Sequence, residues 1–389
     1  MELETIKTFV VKFIRTLCYL FYIFEIDKTK IIFYPSNGKY YCNLKYITEF
    51  MLLTPNKYNF YWISNKDIFS EQHIDIKRIK KNSLMFFFHW LTAKIIIFND
   101  AYPSYMLKRN GQIYIETWHG GGAYKKIGNS LKKETDNTQR LKRINYIFSN
   151  IDYIVSACRE FTIAFKKDTN VKNAEFLNIG MPRNDIFFYN ENLEFLKSKI
   201  YKTLKLNNFT KIILYAPTFR ESKYNCYLNV NNLLHAIRDK FSGECCMLLK
   251  GHPHRQDMIV FENFSDHKVF DVTNYPDMQE LLCAADILIT DYSSCMWDFS
   301  LMYKPCFIYA TDIDQYKQER DFYTPMSEWP FPIATNTDEL INNILNFNQE
   351  EYVEKVKQHH RNLGSYEDGH ACERVCKLIE DIIDGKVQK

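Results

Sequence analysis

The chain has 389 residues, 46% hydrophobic and 25% charged, a globular balance long enough for two ordinary domains or one large one. Twelve glycines and eleven prolines exclude a collagen-like or long disordered chain, and a formal charge of +3 gives no nucleic-acid footprint. Eleven cysteines, an odd number without a CxxC pair, read as reduced cytosolic thiols and argue against a zinc site.

The first element is Thr8 to Ile26, TFVVKFIRTLCYLFYIFEI. Lys12, Arg15 and Glu25 interrupt it, so it predicts neither a spanning helix nor a signal peptide. Phe9, Phe13, Leu17, Leu20 and Phe24 recur at near-helical spacing, which predicts an amphipathic helix within residues 1–28. Such a helix either lies in a membrane surface or packs on its own domain. Short apolar runs then follow at Lys30–Tyr34, Lys94–Phe98, Gln112–Glu116 and Tyr153–Ser156. The rhythm resumes at Lys211–Tyr215, Cys245–Lys250, Lys268–Val272, Asp286–Thr290 and Cys306–Tyr309. Strands spaced by helix-length intervals predict βαβ units and parallel sheets, hence an α/β fold of two doubly wound, Rossmann-like domains. The polar, helix-prone stretch after Pro182 places a boundary near 190–208, between domains at 29–195 and 196–350. Residues 351–389 are expected to be helices packing back across the junction; Asn336 with Glu339, and Asn348 with Glu351, carry helix-start spacing. Ligands of this architecture bind at the carboxyl ends of the strands, which favours an enzyme handling a nucleotide-like ligand.

Four strand-end segments carry chemistry. In ETWHGGGAYKKIG, His119 follows a strand, Gly120, Gly121 and Gly122 allow close backbone approach to an anion, and Lys125 and Lys126 add charge. Glycine runs also make plain turns, and a lone histidine is often structural. In ILYAPTFRES, Thr218 and Arg220 suit hydroxyl and bidentate phosphate contacts, against a reading in which the arginine is merely solvated. In LLKGHPH, Lys250 ends a strand and Pro253 restricts His252 to extended backbone, fixing its imidazole. In ADILITDYSSCMWDFS, Asp291, Ser293 and Ser294 crowd a turn before a helix; this is a phosphate site or a set of N-caps. Asp298, a turn later, either orients a neighbouring residue or faces solvent. Asp312 and Asp314 have acidic-pair spacing, but a cation wants more oxygen ligands than this stretch offers. Cys372 and Cys376 share a helix face and read as core.

In this order the segments resemble the CDP-glycerol glycerophosphotransferase family, the teichoic-acid and capsule polymerases and primases of bacteria. The resemblance runs over residues 29–380 and includes Ser36 to Lys39, Trp118-His119-Gly120, Gly180 to Asp185, Tyr215 to Thr218, His252-Pro253, Ile289 to Ser294, and Tyr316 through Tyr323. It implies a GT-B fold whose two Rossmann-like domains face a cleft, with an acceptor domain first and a CDP-donor domain second. It further implies transfer of a polyol phosphate, above all glycerol phosphate, from a CDP-activated donor to a hydroxyl of a lipid-linked or polymeric acceptor, with release of CMP. No tightly bound cofactor, divalent metal or nucleic acid is expected. The location implied is the cytoplasmic face of the bacterial plasma membrane, as a peripheral protein on an anionic surface. His119 and His252 match the catalytic histidines, His119 as base and His252 on the donor diphosphate. Thr218, Arg220, Lys250, Asp291, Ser293 and Ser294 form the expected donor site, and Gly120 to Gly122 with Lys125 and Lys126 the acceptor or anion loop. The chain departs from the pattern at Gly121-Gly122, where Thr-Pro is common, at Lys250, where Arg is usual, and at Asp321, where Gly is common. A GT-B glycosyltransferase or epimerase using a nucleotide sugar, and a non-catalytic nucleotide-binding protein, are the alternatives.

Overall fold

Strands that read as unbroken apolar runs must be covered on both faces, and helices provide that cover in a parallel sheet. The computed structural model describes residues 2–53, 58–66, 76–130, 138–206, 210–218, 226–251, 259–261 and 268–387. The chain divides into two units: Met1–His119, Ile127–Asp185 and Tyr366–Lys389 form one, and Gly120–Lys126 with Ile186–Ser365 form the other.

The first unit holds seven strands: β1 (Asp27–Tyr34), β2 (Asn59–Ile63), β3 (Lys77–Ile79), β4 (Ala93–Phe98), β5 (Ile113–Glu116), β6 (Tyr153–Ser156) and β7 (Glu175–Asn178). All pair in parallel, in the order β3-β2-β1-β4-β5-β6-β7. Ile31, Ile32 and Phe33 of β1 and Ile95 to Phe98 of β4 are fully buried and sit in register. The edge strands β3 and β7 are short and carry charge, which discourages pairing with another chain. The helix Ala371–Ile383 belongs to this unit: the Asp185 carboxylate accepts the amides of Ala371 and Cys372 at 3.0 and 2.6 Å, capping its first turn. Cys372 and Cys376 are buried on its inner face, as their spacing predicts.

The amino-terminal helix is Glu2–Cys18, continued by a 3-10 turn over Tyr19–Ile23. Arg15 anchors it, donating to the Ser104 carbonyl at 3.1 Å and lying 3.9 Å over the Tyr146 ring. Cys18 is buried, but the stripe of Phe9, Phe13, Leu17 and Leu20 is exposed, Phe9 at 70% and Leu20 at 67%, as is Ile23 at 81%.

The second unit repeats the architecture with β8 (Thr210–Ala216), β10 (Glu244–Leu249), β12 (Val269–Asp271), β13 (Ile287–Thr290), β14 (Cys306–Tyr309) and β15 (Ile333–Ala334). Their order is β12-β10-β8-β13-β14-β15, again all parallel, and β9 (Cys226–Leu228) pairs separately with β11 (Ile259–Phe261). Both large sheets therefore have the Rossmann order, reversing direction beside their first strand. Asn336 and Asn348 cap the helices Thr337–Leu345 and Gln349–Leu363 through their side-chain oxygens. Every cysteine whose side chain is described is a free, buried thiol, and no described helix is long and apolar enough to cross a membrane.

Candidate active site

In a doubly wound sheet the loops after the strands that flank the reversal part to opposite sides and leave a crevice. In the first unit those strands are β1 and β4. The loops after them are tied together, the Ser36 amide donating to the Asn99 side-chain oxygen at 3.0 Å. His119, exposed at the end of the segment after β5, reaches this point: its Nδ1 lies 2.8 Å from the Asn99 carbonyl. A carbonyl can only accept, so Nδ1 carries the proton and Nε2 the lone pair, the tautomer a general base requires. Trp118 stacks on the imidazole with ring centroids 4.7 Å apart.

In the second unit the reversal lies between β8 and β13, and the residues just beyond them are Thr218 and Asp291. They hold one another. The buried Asp291 carboxylate accepts the Thr218 amide at 2.9 Å, the Thr218 hydroxyl at 2.5 Å and the Tyr292 amide at 2.5 Å. Asp291 is thereby a brace for the strand ends, holding in place the loop expected to form the donor site. Ser293 and Ser294 follow, both half-buried, at the start of the short helix Cys295–Ser300. Ser294 makes no side-chain cap bond, and the Ser293 hydroxyl takes the Cys295 amide only at 3.4 Å.

Lys250 stands at the end of β10, but its ammonium donates to the carbonyls of Val272, Thr273 and Tyr275 at 3.3, 2.8 and 2.5 Å. The structure makes Lys250 a clasp for the turn after β12, where the sequence suggests a diphosphate contact. Arg220 and His252 lie outside the described residues. Asp298 does not face solvent: it is buried and accepts from the Gln279 amide at 2.9 Å. Asp312 accepts the Tyr292 hydroxyl at 2.9 Å, at the start of the helix Ile313–Glu319.

The glycine loop belongs to the second unit and is filled by that unit's own side chains. A Cβ on Gly121 would stand 2.2 Å from Cδ1 of the fully buried Trp297, and one on Gly122, at φ +68°, 2.5 Å from the Tyr124 ring. The glycines allow the backbone to approach these rings closely; Gly120 is half-buried. Beyond them, Tyr124 bonds to His359 at 2.9 Å, and residues 123–126 run against 321–324 through Thr324 to the Ala123 carbonyl and the Tyr323 amide to the Tyr124 carbonyl. Lys125 bridges to Phe322, and Lys126 pairs with Asp321 at 2.5 Å. Asp321 has φ +61°, a backbone that explains why glycine is at home there.

Sequence reasoning missed Asn99, Glu116, Trp297 and Asp321 as parts of this framework. The signals were present in two cases: an Asn ending an apolar strand, and a Glu inside the buried run IYIE.

Two Rossmann-type units with polar strand-end loops place the protein in the GT-B class. The sequence matches the CDP-Glycerol:Poly(glycerophosphate) glycerophosphotransferase family over residues 17–381, and the chain belongs to that family. Similar curated proteins include the teichoic acid glycerol-phosphate transferase of Staphylococcus aureus, 30% identical, with 91% of this chain and 93% of the relative covered. The teichoic acid glycerol-phosphate primase of Bacillus subtilis is 34% identical over 79% of this chain and 77% of its own. The poly(glycerol phosphate) polymerase of Staphylococcus epidermidis is 31% identical over 91% of this chain, which spans only 51% of that longer protein. Among solved structures, the wall teichoic acid polymerase TagF aligns with TM-score 0.81 and 27% identity, covering 100% of this chain and 98% of that one.

Proposed function

We propose that this protein transfers glycerol phosphate from CDP-glycerol to a hydroxyl of a lipid-linked or polymeric teichoic-acid acceptor, releasing CMP. The observation that carries the reading is the His119 tautomer: with its Nδ1 proton on the Asn99 carbonyl, Nε2 is the basic nitrogen at a strand-end crevice. The acceptor oxygen attacks the β-phosphorus of the donor and the bond from that phosphorus to the bridging oxygen breaks. His119 takes the hydroxyl proton, and the electron pair of the broken bond leaves with CMP. Positioning and charge stabilisation dominate such transfers. Ser293 and Ser294, the Thr218 segment braced by Asp291, and Arg220 and His252 are proposed to hold the diphosphate.

The uncovered apolar side of the amino-terminal helix supports peripheral attachment to an anionic membrane surface, where a lipid-linked acceptor resides. The test of the reaction is turnover of CDP-glycerol, CDP-ribitol and a UDP-sugar by wild type and His119→Ala. Release of CMP with phosphate retained on the product, and loss of turnover by about a hundredfold or more with CDP binding intact, is expected. A His119→Ala enzyme of near-normal turnover, or activity confined to the UDP-sugar, refutes it.

A further inference from the structure

The backbone that delivers His119 is in an unusual conformation. Trp118 has φ +55°, a left-handed geometry that a bulky residue rarely adopts and that persists only where its surroundings impose it. Three contacts do so. The Glu116 Oε1 accepts the Trp118 amide at 2.6 Å. The Asn43 side chain donates to the carbonyls of Thr117 and Trp118, both at 3.0 Å. The indole packs edge-on against the buried Phe165 at 5.1 Å and flat on His119. Of these, only the Glu116 bond is made by a side chain that has no other structural task in evidence: it is fully buried and its Oε2 has no hydrogen-bond partner.

We infer that Glu116 is a positioning residue for the transfer reaction: by accepting the Trp118 amide it locks the left-handed turn that aims His119 at the Asn99 carbonyl. The inference rests on the reading of His119 as base. An acidic residue is an odd choice for the interior of a parallel sheet, since an ionised carboxylate with a single bond is costly there. Burial pushes its acid strength down, raising the carboxyl well above the ordinary range, with Asp100 and Cys42 adding to the effect. Glu116 uses one oxygen as the acceptor of the Trp118 amide. A glutamine supplies the same acceptor; a leucine of similar size does not.

The test compares Glu116→Gln and Glu116→Leu with wild type in two measurements, each on protein shown to be folded by thermal melting. In turnover of CDP-glycerol, Glu116→Leu is expected to lose kcat by about tenfold to a hundredfold with KM within about twofold, and Glu116→Gln to stay within about threefold of wild type. In nitrogen-15 spectra of histidine-labelled protein, the resonance that vanishes in His119→Ala should show Nδ1 protonated in wild type and Glu116→Gln, and mixed tautomers in Glu116→Leu. A folded Glu116→Leu with unchanged kcat and tautomer overturns the inference. So does a folded Glu116→Gln whose kcat falls tenfold or more, an outcome that can be read even if the leucine variant does not fold. The spectra separate this inference from the reaction itself: an active His119→Ala would remove the base role while leaving the tautomer result to stand or fall alone.

Discussion

At Gly121 adding one carbon should do damage through a single ring. Its backbone needs no left-handed conformation, so any penalty for Gly121→Ala comes from space alone. The new Cβ would lie 2.2 Å from Cδ1, 2.9 Å from Nε1 and 3.0 Å from Cγ of Trp297. The indole cannot retreat, being fully buried with the His360 ring 4.3 Å away, centroid to centroid. Overpacking of a rigid core typically costs about 1–3 kcal/mol, and a misfit of more than 1 Å belongs at the upper end. About 3 kcal/mol lowers the melting temperature of a unit this size by roughly 6–12 °C. Trp297→Leu removes the obstacle but leaves a cavity, at about 2–4 kcal/mol. In the double variant the alanine methyl enters that cavity, so the two losses should fall short of their sum by at least about 1 kcal/mol. Urea unfolding of the four proteins measures the cycle. Losses that add within about 0.5 kcal/mol would refute the claim that the indole is what requires glycine.

Two further outcomes follow from charge and exposure. Burial holds His359 down to about 4 and His360 down to about 3, the second lowered further by the first. Unfolded histidine binds its proton near pH 6.5, so the unfolded state takes up protons first as pH falls; stability is full above about pH 6.5 and declines toward pH 4, by roughly 1.4 kcal/mol per pH unit for each ring. His359→Gln should flatten that decline in urea midpoints measured between pH 7 and pH 4, and an unchanged slope would count against it. For the membrane, flotation with vesicles containing anionic lipid should recover the full chain and lose a chain without residues 1–27; equal recovery removes the helix from the proposal.

The fold was legible because its strands advertise themselves. Nine runs of Ile, Leu, Phe, Tyr and Cys lie in the strands they predict, with ends moved by a residue or three, since a strand covered on both faces can be nothing but apolar. Of the strands that escaped, β2 is as apolar as those that were seen, whereas others break this rule. β3 is Lys-Arg-Ile, and β7 exposes half its side chains. The two-residue β15 is too short to register. The amino-terminal helix was visible as a period, but not whether anything would cover its apolar side; that depends on neighbours far along the chain. In the candidate site, residue types told less than strand order did. That Asp291 and Lys250 also brace the chain was not legible, because the strand pairing that sets Thr218 beside Asp291 is non-local. His119 was legible as a candidate site residue, yet its tautomer depended on the Asn99 carbonyl, twenty residues earlier in the chain.

The bracing has a consequence for how a doubly charged diphosphate could be held. Lys126 is already paired with Asp321, and the Lys250 ammonium is turned to backbone carbonyls, so both cations are engaged within the chain. The Lys126–Asp321 pair is itself partly exposed, 29% and 41%, so it contributes little to stability, about 0–1 kcal/mol. Under the proposed function, charge-assisted contact with the donor is assigned to Arg220, since a guanidinium can grip phosphate in two places. Arg220→Met should weaken CDP-glycerol binding by about tenfold or more, corresponding to about 1.5–3 kcal/mol for bonds to a charged group. Lys126→Met should leave it within about threefold, and its melting temperature should hardly move. Titration calorimetry of both variants at one salt concentration decides the matter. If Lys126→Met loses the greater affinity, Asp321 does not occupy the lysine when donor is present, and the division of labour argued for these loops is wrong.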